Sequence, residues 1–128
     1  MDNFADRLND AIKQKGNCIC VGLDPRLDLI PTEITKRHEH FKSWSPNDYA
    51  ANSIEDFNKV IIDIVADVAV AVKPQAAFYE EYGWYGMRAL EQTIYYAKQK
   101  GLIVILDVKR GDIASTAEAY ARAYLKNS

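Results

Sequence analysis

Three short apolar runs alternate with segments of helical period, and that order leaves few folds open. Residues 18–24 (CICVGLD), 68–75 (VAVAVKPQ) and 102–110 (LIVILDVKR) have strand length and are bounded by turn residues. Ahead of the first run, Phe4, Leu8 and Ile12 fall at i, i+4, i+8 between Asn3 and Lys15, one stripe of a short helix that Gly16 and Asn17 end. Between the first two runs, Ser45-Pro46-Asn47 opens a helix carried by Ile54, Phe57, Ile61 and Val65. Between the second and third, the aromatic stretch Phe78 to Tyr85 leads into a helix through Leu90, Ile94 and Ala97, which Gly101 caps. After Gly111, Ala114 to Lys126 has helix-forming composition. Alternation of this kind specifies βαβ units on a parallel sheet, an α/β fold. Residues 25–46 hold Pro25, Pro31, Pro46 and the charged run Lys36-Arg37-His38-Glu39-His40. Strand-to-helix loops usually take ~2–6 residues, so this stretch reads as a surface insertion with a short helical turn.

Strand period two divides each run into faces. Ile19, Val21 and Leu23 oppose Cys18, Cys20, Gly22 and Asp24; Val68, Val70 and Val72 oppose Ala69, Ala71 and Lys73; Val104, Leu106 and Val108 oppose Ile103, Ile105, Asp107 and Lys109. In each pair the first face is branched and apolar, suited to packing under helices. The second ends, at the C-terminal tip, in charge. One such tip would simply meet solvent. Three on the face away from the helices point to one site, because parallel barrels place their chemistry at the C-terminal ends of the strands.

The third tip carries the sharpest motif, Asp107-Val108-Lys109-Arg110-Gly111-Asp112. Asp107 and Lys109 share a face ~6–7 Å apart along the strand. Gly111 lets the chain turn, so that Asp112 can be aimed back at the same charges. Arg110 falls on the outward, Val108 side. With Lys73 from the neighbouring strand the result is an alternating array of two ammonium groups and two carboxylates. A lysine beside a reacting carbon can donate a proton where negative charge develops, and fixed carboxylates repel an anionic substrate group and favour its loss as CO₂. A structural ion-pair network would have the same spacing.

Composition excludes other classes. Lys+Arg of 16 against Asp+Glu of 18 gives a net charge of −2, without the basic footprint of a nucleic-acid binder. Hydrophobic residues at 48% and charged residues at 27% suit a globular domain, and no run approaches a membrane span. The start MDNFADRLND is too acidic and polar for a secretory signal. Cys18 and Cys20, at i and i+2, suit reduced thiols of a cytoplasmic protein better than a disulfide. His38-Glu39-His40 lacks a third ligand and reads as solvated insertion rather than a metal site. Tyr79, Tyr82, Trp84 and Tyr85 could stack a nucleobase, pack the loop after the second strand, or line a subunit interface.

Gly22-Leu23-Asp24-Pro25-Arg26, Val72-Lys73-Pro74-Gln75 and Leu106-Asp107-Val108-Lys109-Arg110-Gly111-Asp112-Ile113, followed by Thr116, resemble orotidine 5′-phosphate decarboxylase, in its longer bacterial subgroup with Lys-Pro-Gln on the second strand. The resemblance runs through essentially the whole chain. It implies a (βα)₈ TIM barrel, of which residues 1–128 would be an N-terminal portion: about three βα units and an N-terminal helix. It implies conversion of orotidine 5′-monophosphate to UMP and CO₂, the last step of de novo pyrimidine synthesis, with no metal or organic cofactor. Lys109 would protonate C6, Asp107 would sit by the departing carboxylate, Lys73 would order the charges and contact the ribose, and Asp24 would bond a ribose hydroxyl. Asp112 and Thr116 would reach into the partner's site of a homodimer. The family's later strands, its phosphate-gripping loop with an arginine and its closing loop have no counterpart in these residues, since a whole barrel takes ~250. Binding energy from a remote phosphate drives such chemistry, so the chain by itself is expected to be feebly active at most.

Three other readings compete. Mg²⁺-dependent sugar-phosphate decarboxylases and aldolases on this barrel share Asp-x-Lys-x-x-Asp but carry an acidic residue in place of Lys73. A Schiff-base aldolase could use Lys109, against which the flanking carboxylates argue. A half-barrel piece that associates through its open strand edges without catalysing anything would have the same sequence features.

Overall fold

The computed structural model describes residues 3–125. Its elements follow the expected alternation: α1 (Phe4–Lys15), β1 (Cys20–Leu23), α2 (Thr32–Thr35), α3 (Pro46–Val65), β2 (Ala71–Pro74), α4 (Ala77–Glu80), α5 (Gly83–Gln99), β3 (Ile103–Val104) and α6 (Ala114–Leu125). Single 3₁₀ segments lie at Leu27–Leu29 and Lys36–Phe41. The three strands form one parallel sheet in the order β1-β2-β3.

The regular strands are shorter than the apolar runs. The hydrogen-bonded ladder nevertheless reaches the charged tips. Ile103 N donates to Val70 O (3.1 Å), Ile105 N to Val72 O (2.9 Å) and Asp107 N to Pro74 O (2.9 Å), and Ala76 N returns a bond to Asp107 O (3.1 Å). Gln75 and Asp107 form an isolated parallel bridge beyond the named strands. Alternate amides thus tie the third run to β2 as far as its functional end.

One face of the sheet is packed by α3 and α5. Leu23, Ile62, Ala69, Val72, Ala97 and Leu102 form one buried cluster, with Val21 and Val104 against it. A second cluster, around Ile54, Tyr79, Ala89 and Leu90, receives Leu106 and Val108. Val21, Leu23, Val72, Val104, Leu106 and Val108 are the residues assigned by period two to the helix-facing side. Ile19 and Val68, at the entry to their strands, are instead 49% and 54% exposed.

Two expectations are corrected, at residues 25–46 and at the turn after β3. Residues 25–46 hold more helix than the one short turn expected, and Ile30 and Ile34 are buried in the second cluster. The helix expected on the stripe Phe4, Leu8, Ile12 forms as α1, and none of its residues is fully buried. That end of the chain is held by polar contacts instead: Lys15 Nζ donates to Ala66 O (2.6 Å) and Asp67 O (3.0 Å), and Asn17 Nδ2 to Val68 O (3.0 Å). The left-handed residue of the turn after β3 is Ala114 (φ 51°), not Gly111. A non-glycine in that region is strained, and such strain persists only where surrounding structure holds it.

Under the sheet lies a buried polar knot. Asn58 Nδ2 of α3 donates to the Tyr79 hydroxyl (2.9 Å) and to Thr93 Oγ1 (3.1 Å), and the Tyr79 hydroxyl donates to Leu23 O (3.4 Å). Burial pushes the Tyr79 phenol far above its ordinary range and keeps it a neutral donor. Gly86 makes this packing possible: a Cβ there would stand 1.8 Å from Tyr79 O.

Candidate active site

The site is built at the C-terminal ends of β2 and β3. Asp107 is its centre. Its Oδ1 accepts from Lys109 Nζ at 2.7 Å, and its Oδ2 accepts from Lys73 Nζ at 3.2 Å. The two ammonium groups, Lys109 first and then Lys73, hold the Asp107 carboxyl below the usual carboxylate range, against a smaller opposing effect of burial. The Asp107 side chain is 25% exposed, Lys73 37% and Lys109 77%. Burial therefore falls on the carboxylate, and the reach into solvent falls on Lys109.

Asp24 is exposed just beyond β1. The register places Gly22 opposite Lys73, so no side chain from β1 crowds that lysine. A Cβ on Gly22 would meet Asp24 Oδ1 at 3.8 Å, which sets the Asp24 carboxylate over Gly22 on the Lys73 side of the sheet.

Asp112 and Thr116 are not drawn into this array. Asp112 makes no ion pair with Lys73 or Lys109 among the described residues; its Oδ1 accepts from Ile113 N at 2.8 Å. Thr116 is exposed in the first turn of α6, and Ile113 between them is 81% exposed. Within one chain the array among the described residues is thus Lys73–Asp107–Lys109, without Asp112.

Other charged and aromatic candidates have structural partners. Arg110 faces the Val108 side as expected and pairs with Glu80 of α4, which also accepts from the Tyr124 hydroxyl of α6 at 3.3 Å. His38 Nε2 lies 2.9 Å from Asp56 Oδ2, while His40 stacks on Phe41, so the two imidazoles serve different contacts. Tyr79 is fully buried, Tyr82 and Tyr85 pack against the second cluster, and Trp84 stays 65% exposed beside Arg88.

Sequence reasoning passed over Gln75. Its Nε2 donates to Asp107 Oδ2 at 3.0 Å. The signal was available: Gln75 is two residues from Lys73 and so on the same face of the run.

The sequence and fold of the chain match known proteins. Residues 17–128 match the family model described as orotidine 5′-phosphate decarboxylase / HUMPS family. The chain belongs to this family. The orotidine 5′-phosphate decarboxylase of Rhodopirellula baltica is 48% identical over 125 residues, covering 98% of this chain and 40% of that protein. That of Caldicellulosiruptor saccharolyticus is 40% identical over 125 residues, covering 98% and 41%. The structure of Leishmania donovani OMP decarboxylase superposes with a TM-score of 0.72 at 35% identity, covering 98% of this chain and 41% of that one. The chain spans about 40% of the length of the curated relatives it matches, and corresponds to an N-terminal part of the family's barrel. Among the described residues no helix is long and apolar enough to cross a membrane.

Proposed function

We propose that residues 1–128 form one partial barrel domain and supply the charge array of an orotidine 5′-monophosphate decarboxylase. In this reading the C6–carboxylate bond of the pyrimidine breaks, CO₂ leaves, and the electron pair stays on C6. The Lys109 ammonium then gives its proton to C6, forming UMP, and regains one from solvent. Asp107 faces the departing carboxylate and opposes its charge. Lys73 orders Asp107 and contacts the ribose, and Asp24 accepts a hydrogen bond from a ribose hydroxyl.

The observation that carries this reading is the single Asp107 carboxylate clamped between Lys73 and Lys109 at the strand tips. An exposed ammonium on a fixed carboxylate can be aimed at carbon without losing its anchor. Family membership and the Asp-x-Lys-Arg-Gly-Asp block support the same chemistry. The exposed Asp112, Ile113 and Thr116 suit a homodimer in which they enter the partner's site. The free thiols Cys18 and Cys20 suit a cytoplasmic setting.

The test is decarboxylation of orotidine 5′-monophosphate by the complete barrel, with and without Lys109→Ala, and by the 128-residue chain alone. The expected outcome is UMP formation by the complete barrel, its loss in the variant, and little or none from the chain alone. Full turnover in the Lys109→Ala protein would defeat the reading, and so would turnover abolished by a chelator.

A further inference from the structure

We propose that Gln75 is a positioning residue for the reaction: its side-chain amide, together with Lys73, fixes the plane of the Asp107 carboxylate so that Oδ1 is presented to Lys109. The proposal rests on the decarboxylase reading for its catalytic meaning and on geometry alone for the clamp.

The geometry is as follows. Lys73 and Gln75 lie two apart on β2 and its extension, so their side chains leave the same face of the sheet. Both reach across to the third run and end on one atom: Lys73 Nζ at 3.2 Å and Gln75 Nε2 at 3.0 Å from Asp107 Oδ2. Oδ1 is left to Lys109 Nζ at 2.7 Å. A carboxylate held through one oxygen by one flexible ammonium can rotate about its terminal torsion. Two donors converging on Oδ2 from separate positions remove that rotation. The Gln75 amide is the neutral, shorter and stiffer of the two, and its backbone is pinned as well. Gln75 N donates to Leu23 O at 3.3 Å, and the residue bridges Asp107. The acceptor-only carboxylate also dictates which end of the amide faces it, the NH₂ group.

The charged groups that bear on Asp107 are Lys109 in the same run and Lys73 on β2; Gln75 adds a third donor without charge. Lys73 is also assigned to the ribose. If substrate draws Lys73 toward a hydroxyl, Gln75 is the donor that remains to keep Asp107 from swinging. Its contribution therefore belongs to the step in which Asp107 faces the leaving group, more than to nucleotide binding.

Gln75→Leu and Gln75→Glu separate this role from packing. In the 128-residue chain, the Asp107 carboxyl is followed by carbon NMR through an acid titration. Both variants are expected to titrate at higher pH than the wild type, Leu because a donor is lost and Glu because a like charge faces Asp107. In the complete barrel, Gln75→Leu is expected to lower kcat by about tenfold with KM for orotidine 5′-monophosphate nearly unchanged, the pattern of an interaction made in the transition state. A Gln75→Glu variant that leaves both the titration and kcat at wild-type values overturns the proposal. Shifted titrations in the chain, beside a complete barrel that decarboxylates nothing, would keep the clamp and sink the decarboxylase reading instead.

Discussion

Asp107 and Lys109, two residues apart in the run that follows β3, close a 2.7 Å ion pair in which the lysine is 77% exposed and the aspartate only 25%. The carboxylate is the fixed end and the ammonium the mobile one. Removing either end therefore does different damage. Lys109→Ala in the complete barrel is expected to cut kcat by about 10²–10⁴-fold, the usual contribution of a positioned proton donor, while UMP still binds. Lys73→Ala removes a partner of Asp107 and the proposed ribose contact together, so both kcat and UMP affinity fall. Steady-state kinetics and calorimetric UMP titration of the two variants distinguish these patterns.

The lowered Asp107 carboxyl sets a pH dependence. Because its folded value lies below the ordinary aspartate value of about 3.9, the carboxyl contributes stability that is fully present above that value. That stability is lost as pH falls through the lowered folded value. Wild-type chain and Asp107→Asn should therefore differ in denaturant midpoint at neutral pH and converge in strong acid. Curves that remain parallel down through the carboxyl range would mean that the Lys73 and Lys109 contacts add nothing to the folded state.

The architecture and most of the site were legible because both depend on short-range periodicity. Period two put Asp107 and Lys109 on one face and Val108 on the other, and the described contacts follow that division. What stayed hidden depends on contacts between residues distant in sequence. Gln75 meets Asp107 only because the β2–β3 register aligns them, and Ile30 and Ile34 are buried only because α3 and α5 leave room for them. Asp112 shows the limit of local turn logic. Glycine at 111 permitted a turn back toward the lysines, yet the left-handed step falls at Ala114 and the carboxylate caps its own neighbour.

Gly86 is expected to tolerate no side chain. An added Cβ would stand 1.8 Å from Tyr79 O, a backbone atom that cannot swing away. Gly86→Ala should cost about 3 kcal/mol or more, beyond ordinary overpacking, because α4 and α5 must separate. Tyr79→Phe is milder. It removes a hydroxyl that accepts from Asn58 and donates to Leu23 O, at about 1–2 kcal/mol for a buried bond left incomplete. Urea unfolding of the two variants should rank them in that order.

Glu80 ties the helix that carries Thr116 to α4 through two side chains. α6 has no buried residue, while Glu80 accepts from Arg110 at the head of the turn and from Tyr124 near the helix end. Arg110 and Glu80 meet at the solvent-screened surface, so the pair adds little to global stability. Its effect on α6 is local and larger in proportion. Arg110→Ala should leave the unfolding midpoint nearly unchanged but speed amide exchange along 114–125. Glu80→Ala, which removes both anchors, should speed it further. The Lys73–Asp107–Lys109 contacts lie on the opposite face of the third run, so the Asp107 titration should be the same in both variants. Exchange along α6 that is indifferent to Glu80 would show that the helix is held by its backbone connection and not by these side chains.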